Sequence, residues 1–219
     1  MIHPYSYYPA RAARHWPDRV ALVEGSRQCT YAELGQRATT IARVLLDLGL
    51  EPGDRVAVIQ HNCIEYVESV VGIARAGGTL VPLLGALTEP EHAYIMKDSG
   101  ARFIIALNQT GLGRARAIKA GSDKLLAFGQ FNDATDLSAP PDGPLKTVPI
   151  AIDRPPSALA HILYTSGTTG RPKGVTHSYA SVTAAMNFWA TTFDLQTEDR
   201  LLGQLALSHF CGRAMDSAW

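Results

Sequence analysis

Cysteine is scarce in this chain. Cys29, Cys63 and Cys211 are the three cysteines among 219 residues, scattered and odd in number, with no Cys-x-x-Cys and no Cys/His ligand spacing. That argues against a disulfide framework or a zinc site, predicts free thiols in a reducing compartment and leaves the list of predicted metal ligands empty. Long apolar runs are missing too, and Met1-Ile2-His3-Pro4-Tyr5 puts no basic segment ahead of an apolar one. Neither a membrane span nor a signal peptide is expected, so the protein reads as cytoplasmic. There is no excess of either charge: Lys plus Arg is 20 and Asp plus Glu is 20. A neutral chain has no global attraction to nucleic acid or an anionic membrane surface, so any anion site has to be local. Two nucleotide signatures are absent as well. No Gly-x-x-x-x-Gly-Lys-Ser/Thr occurs, which argues against a P-loop phosphotransferase, and no Gly-x-Gly-x-x-Gly opens a strand-helix unit.

What is present is a strand-helix rhythm. Hydrophobic residues make up 46% of the chain, ordinary for a globular protein of one large or two small domains. A first helix ends over Arg11 to Trp16, and Val20 to Glu24 and Gln28 to Tyr31 flank a hairpin turn at Gly25-Ser26. Thr30-x-x-Glu33 is a capping box, and behind it Leu34, Ala38, Ile41, Leu45 and Leu48 fall on one helix face. Strands are predicted at Arg55 to Ile59, Thr79 to Leu83, Arg102 to Leu107 and Lys124 to Phe128. Helices between them open at Asn62-x-x-Glu65, at the second capping box Thr88-x-x-Glu91 and near Leu112. The alternation predicts an α/β fold, a mostly parallel sheet layered with helices. We divide the chain into an alternating strand/helix subdomain (1–129), a Pro-rich connection (130–157) and a third segment (158–219).

The third segment carries the chemistry. A buried strand, Ala158 to Tyr164, runs into Thr165-Ser166-Gly167-Thr168-Thr169-Gly170-Arg171-Pro172-Lys173-Gly174. Glycines permit close approach of an oxyanion to the main chain. The hydroxyls of Thr165, Ser166, Thr168 and Thr169 add small donors, exposed N–H groups form an anion nest, and Lys173 and Arg171 supply charge. Such a turn, read as leading from a strand into a helix over Ser178 to about Phe193, suits a polyphosphate. Composition alone leaves open a flexible Gly/Thr-rich surface turn. Of the other candidates, His161 reads as a structural residue inside a strand and His177 as a structural residue at a helix N-terminus. Phe188 and Trp189 read as core, and Asp47 and Glu51 as a solvated edge.

Tyr164 to Gly174 closely resembles the signature loop of the adenylate-forming superfamily, which holds acyl-CoA synthetases, luciferases and peptide-synthetase adenylation domains. Thr30 to Leu34, Gly53 to Ala57, Gly77 to Leu83 and Asp98 to Ala101 resemble its flanking segments, so the likeness covers nearly the whole chain. Leu84 to Thr88 departs from the family pattern, which is more polar there, and a local loop change is expected. The resemblance implies activation of a carboxylic acid by ATP with Mg2+ to acyl-AMP and pyrophosphate, then transfer to a thiol, that of coenzyme A. It makes Thr165, Ser166, Gly167, Thr168, Thr169, Gly170 and Lys173 phosphate-binding residues and sets His209, in Leu205 to Phe210, near the acyl pocket as a catalytic candidate. The family's adenine- and magnesium-binding motifs and its C-terminal catalytic lysine would lie beyond Trp219. The 219 residues alone are therefore expected to be inactive, and apolar surface meant for the missing part would favour a homodimer. An early start to the domain favours a stand-alone ligase over a peptide-synthetase module. A degenerate phosphate- or nucleotide-binding remnant is the alternative from another class.

Overall fold

A computed structural model describes residues 7–59, 62–118, 124–128, 134–138, 152, 154–165, 171–196 and 198–203. The first helix, α1 (Tyr7–His15), precedes a hairpin of β1 (Val20–Glu24) and β2 (Arg27–Thr30), which turns through Gly25 at φ 58°. Helix α2 (Tyr31–Asp47) begins at the predicted capping box. The Glu33 N–H donates to Thr30 Oγ1 at 3.2 Å, and the Glu33 carboxylate accepts from the Thr30 N–H at 2.7 Å. Helix α3 (Ile64–Arg75) begins otherwise than its sequence suggests. Its N-cap is Cys63, which makes no side-chain cap, and the Ile64 N–H donates instead to Glu24 Oε2 at 3.0 Å. A carboxylate from the hairpin thus takes the place predicted for Asn62 and meets the positive end of the helix.

Among the described residues the main sheet has seven strands in the order β7-β6-β5-β3-β4-β8-β9. Strands β3 (Arg55–Ile59), β4 (Thr79–Leu83), β5 (Phe103–Ala106), β6 (Lys124–Ala127), β7 (Thr135–Asp136) and β8 (Leu159–Thr165) run parallel. The last, β9 (Lys173–Ser178), is antiparallel to β8. Strand β7 falls inside the stretch read as a Pro-rich connection, and β9 falls between the Gly/Thr-rich loop and the helix expected from Ser178, where no strand was predicted. Helix α4 (Glu89–Ser99) ends at Gly100 with φ 64°, a left-handed position that favours glycine. Helix α5 (Gln109–Ile118) begins ahead of its predicted start, where the Gly111 N–H donates to Asn108 Oδ1 at 2.8 Å. Helix α6 (Tyr179–Thr192) is capped by Ser178, whose hydroxyl accepts from the Ser181 N–H at 3.1 Å.

Alternate side chains of the central strands point to opposite faces, which builds two cores. Val56, Val58, Leu80, Phe103 and Ile105 pack with Ile41 and Leu45 of α2, Ile73 of α3, and Tyr179, Val182 and Met186 of α6. Ala57, Ile59, Val81, Leu83, Ile104 and Ala106 pack with Ile95 and Met96 of α4 and with Leu112, Ala115 and Ile118 of α5. The result is the predicted α/β sandwich, with a mostly parallel sheet between helices. Phe188 departs from its core reading: only the Tyr179, Val182 and Met186 side of α6 meets the sheet, and Phe188 is 62% exposed. Beside it, half-buried Trp189 stacks on Phe193 with ring centroids 5.2 Å apart.

Candidate functional site

Because β3, β4, β5 and β8 are parallel, their carboxyl ends share one edge of the sheet, the edge where open α/β sheets bind ligands. The strand connections change direction between β3 and β5. The Thr165–Lys173 segment opens from the same edge further along, beyond β4. It is not a strand-to-helix turn. Thr165 and Lys173 face each other across the antiparallel pair of β8 and β9, and α6 follows only after β9. Thr165, Arg171 and Lys173 are all exposed at this mouth. Ser166, Gly167, Thr168, Thr169 and Gly170, the centre of the predicted phosphate grip, lie outside the described residues, as does His209. His177 stands within β9, opposite the buried His161 of β8, and not at a helix N-terminus.

Just inside the mouth, Tyr164 pairs with Gly174. A Cβ on Gly174 would come within 3.1 Å of Tyr164 Cζ and 3.0 Å of Ile162 Cγ2, so the glycine leaves the room that the ring fills. The Tyr164 hydroxyl donates to Asp98 Oδ2 of α4 at 2.6 Å. This is the length of a charge-assisted O–H···O⁻ bond. Burial first, and then the bond to Asp98, raise the tyrosine's pKa well above its ordinary value, so the hydroxyl keeps its proton at neutral pH.

The neighbouring wall is the Leu84–Leu87 loop that follows β4. Two basic side chains fix it. His92 of α4 is fully buried with Nε2 2.9 Å from the Leu84 carbonyl oxygen. A carbonyl can only accept, so Nε2 carries the proton. Burial lowers the His92 pKa and keeps the ring neutral. Arg114 of α5 donates through Nη1 to the carbonyls of Gly85 and, at 3.5 Å, Leu87. Sequence reasoning missed both anchors. Among the described residues, no three or more His, Cys, Asp or Glu side chains gather where they could hold a metal ion. No helix among them is long and apolar enough to cross a membrane.

A mostly parallel sheet of this order, layered with helices on both faces, places the molecule in the α/β class. Residues 9–218 match the model of the family described as AMP-binding enzyme. The chain therefore belongs to the AMP-binding enzyme family. It is similar to a long-chain-fatty-acid–CoA ligase, FadD13, of Mycobacterium tuberculosis, at 36% identity over 88% of this chain and 38% of the ligase. It is also similar to a feruloyl-CoA synthase of an Amycolatopsis species, at 34% identity over 95% of this chain and 40% of the synthase. The inhibitor-bound N-terminal domain of FACL13 from M. tuberculosis superposes with a TM-score of 0.81 at 30% identity, covering 98% of this chain and 55% of that one. The chain thus spans well under half the length of the curated relatives it matches.

Proposed function

We propose that the protein to which this chain belongs activates a carboxylic acid with ATP and passes the acyl group to coenzyme A. The carboxylate oxygen attacks the α-phosphorus of ATP, the bond from that phosphorus to the bridging oxygen breaks, and pyrophosphate leaves. The thiol sulfur then attacks the acyl carbon and AMP departs. In this reading Thr165, Ser166, Gly167, Thr168, Thr169, Gly170 and Lys173 hold the β- and γ-phosphates, and His209 stands near the acyl group. The observation that supports it is the hairpin mouth. Thr165 and Lys173 are paired and exposed at the carboxyl edge of the sheet, so a hydroxyl and an ammonium can meet the same anion. Fixed donors aimed at charge developing on a leaving group are worth roughly 3 kcal/mol each in such transfers. Magnesium enters as the companion of ATP's phosphates.

The relatives support coenzyme A as the acceptor, since both are named for CoA ligation, one of a fatty acid and one of an aromatic acid. The test is ATP–pyrophosphate exchange by the full-length gene product with a panel of fatty and aromatic acids, followed by thiol capture with coenzyme A or a phosphopantetheinylated carrier protein. Acid-dependent exchange with transfer to coenzyme A is expected. Absence of exchange with every acid would sink the reading, and transfer to the carrier alone would reassign the acceptor.

A further inference from the structure

Helix α4 touches both walls of the mouth. Near its start, His92 holds the Leu84 carbonyl at 2.9 Å. Near its end, Asp98 holds the Tyr164 hydroxyl at 2.6 Å. Tyr164 and Gly174 are the pair next to Thr165 and Lys173, so the tyrosine is one step along the ladder from the two exposed groups of the mouth, with its ring on the opposite face of the hairpin. Strand β9 needs such a support. It is the last strand in the sheet order, with β8 as its neighbour, and Lys173 to Thr176 are exposed. Among the described residues, β8 is the strand paired with β9, so that pairing sets the register and tilt of Lys173. Tyr164 adds a second constraint, because its ring lies where a Gly174 side chain would otherwise be and its hydroxyl is tied to a helix packed on the sheet.

We infer that Asp98 and Tyr164 are positioning residues for phosphate binding, a brace running from α4 through the Tyr164 ring to β9 that fixes Lys173 against Thr165. The inference rests on the reading of that mouth as a pyrophosphate grip. It predicts coupling, since the two side chains act as one device: removing either should do what removing both does.

The experiment measures the dissociation constant of inorganic pyrophosphate by calorimetry on the full-length protein, with thermal unfolding followed alongside. Tyr164→Phe and Asp98→Ala should each weaken pyrophosphate binding roughly fivefold, the scale of one lost hydrogen bond felt at the site through the strand pair. The double variant should be no weaker than either single one. Asp98→Asn, which keeps an acceptor oxygen, should stay near the unmodified protein. Gly174→Ala, which pushes the ring aside, should reproduce the loss. Lys173→Ala separates the two levels of the argument. If it leaves affinity unchanged, the pyrophosphate reading falls and the brace with it. If it weakens binding while Tyr164→Phe and Asp98→Ala lower only the melting temperature, the reading stands and the brace is overturned. Additive losses in the double variant would also overturn it.

Discussion

The two arms of the sheet are built on different principles. From β3 to β6 the strands are parallel, and β3, β4 and β5 are covered on both faces, with Phe103, Ile104, Ile105 and Val58 fully buried. On the other side, β8 and β9 form an antiparallel hairpin whose outer strand carries Val175 at 44% exposure and holds Lys173 in the open. The first arm stores stability; the second, in the proposed reading, presents the phosphate-binding groups. A strand that is outermost among the described residues, with exposed glycine and lysine, costs little to alter energetically, which makes it a suitable place for groups chosen for a ligand and not for packing.

The largest effect that can break this contrast is a cavity in the first arm. Phe103→Ala should cost about 3–5 kcal/mol by urea unfolding, whereas Val175→Ala in β9 should stay within about 0.5 kcal/mol. Equal losses would mean that β9 is as tightly built as β5. Lys173→Ala should show the reverse signature. Acid-dependent exchange in the full-length protein should fall on the order of a hundredfold, corresponding to about 3 kcal/mol of lost charge stabilisation, with stability unchanged. A melting shift as large as that of a core variant would place Lys173 in the scaffold.

A third test uses pH. Glu68 of α3 is 3% exposed, and its carboxyl is pushed up to about 7, first by burial, with Glu65 and Glu33 adding to the rise and Arg37 and Arg27 opposing it. Arg37 Nε, on α2, stands 3.9 Å away on a half-exposed side chain. A carboxyl whose folded pKa is raised binds its proton more tightly in the folded state. Stability is therefore greatest below the unfolded value of 4.5 and falls as pH rises through about 7. The loss reaches up to about 3 kcal/mol. Glu68→Gln should remove that slope, gaining stability at pH 8 and nothing near pH 4, with pyrophosphate affinity unaffected. Parallel stability–pH curves for the two proteins would refute the assignment.

The same contrast explains what the amino-acid sequence could disclose. The first arm announces itself locally. The Thr30/Glu33 box, the apolar spacing from Leu34 to Leu45 and the β-branched run at Arg55 to Ile59 mark elements that the structure places there. Strand β9 carries no such signal, because Lys-Gly-Val-Thr-His-Ser has neither alternating nor continuous apolar residues; it is a strand because β8 pairs with it. The partners that build the mouth are distant in sequence, Tyr164 with Asp98 and Arg114 with Gly85. The carboxylate that meets the start of α3 is likewise remote, since Glu24 belongs to the N-terminal hairpin. Local patterning has no access to such pairs. The family resemblance marked Asp98 and Tyr164 as motif members and said nothing of their meeting.

The smallest expected effect falls on the seam between the arms. Ser178 ends β9 and caps α6, accepting from the Ser181 N–H at 3.1 Å, while the Tyr179 N–H donates to the Ala158 carbonyl at 3.0 Å. Removing the cap with Ser178→Ala leaves one orphan donor at the helix start and should cost about 1 kcal/mol. Tyr179 stays buried against the sheet, with its hydroxyl 3.4 Å from the Gly78 carbonyl, so α6 should keep its seat. The cost should therefore appear in unfolding and leave pyrophosphate affinity untouched. Lys173 stands at the other end of β9, with the Tyr164–Gly174 pair between it and the cap. If Ser178→Ala weakens pyrophosphate binding as much as Tyr164→Phe does, strain at the helix start travels along β9, and the hairpin and the scaffold are one cooperative unit rather than two.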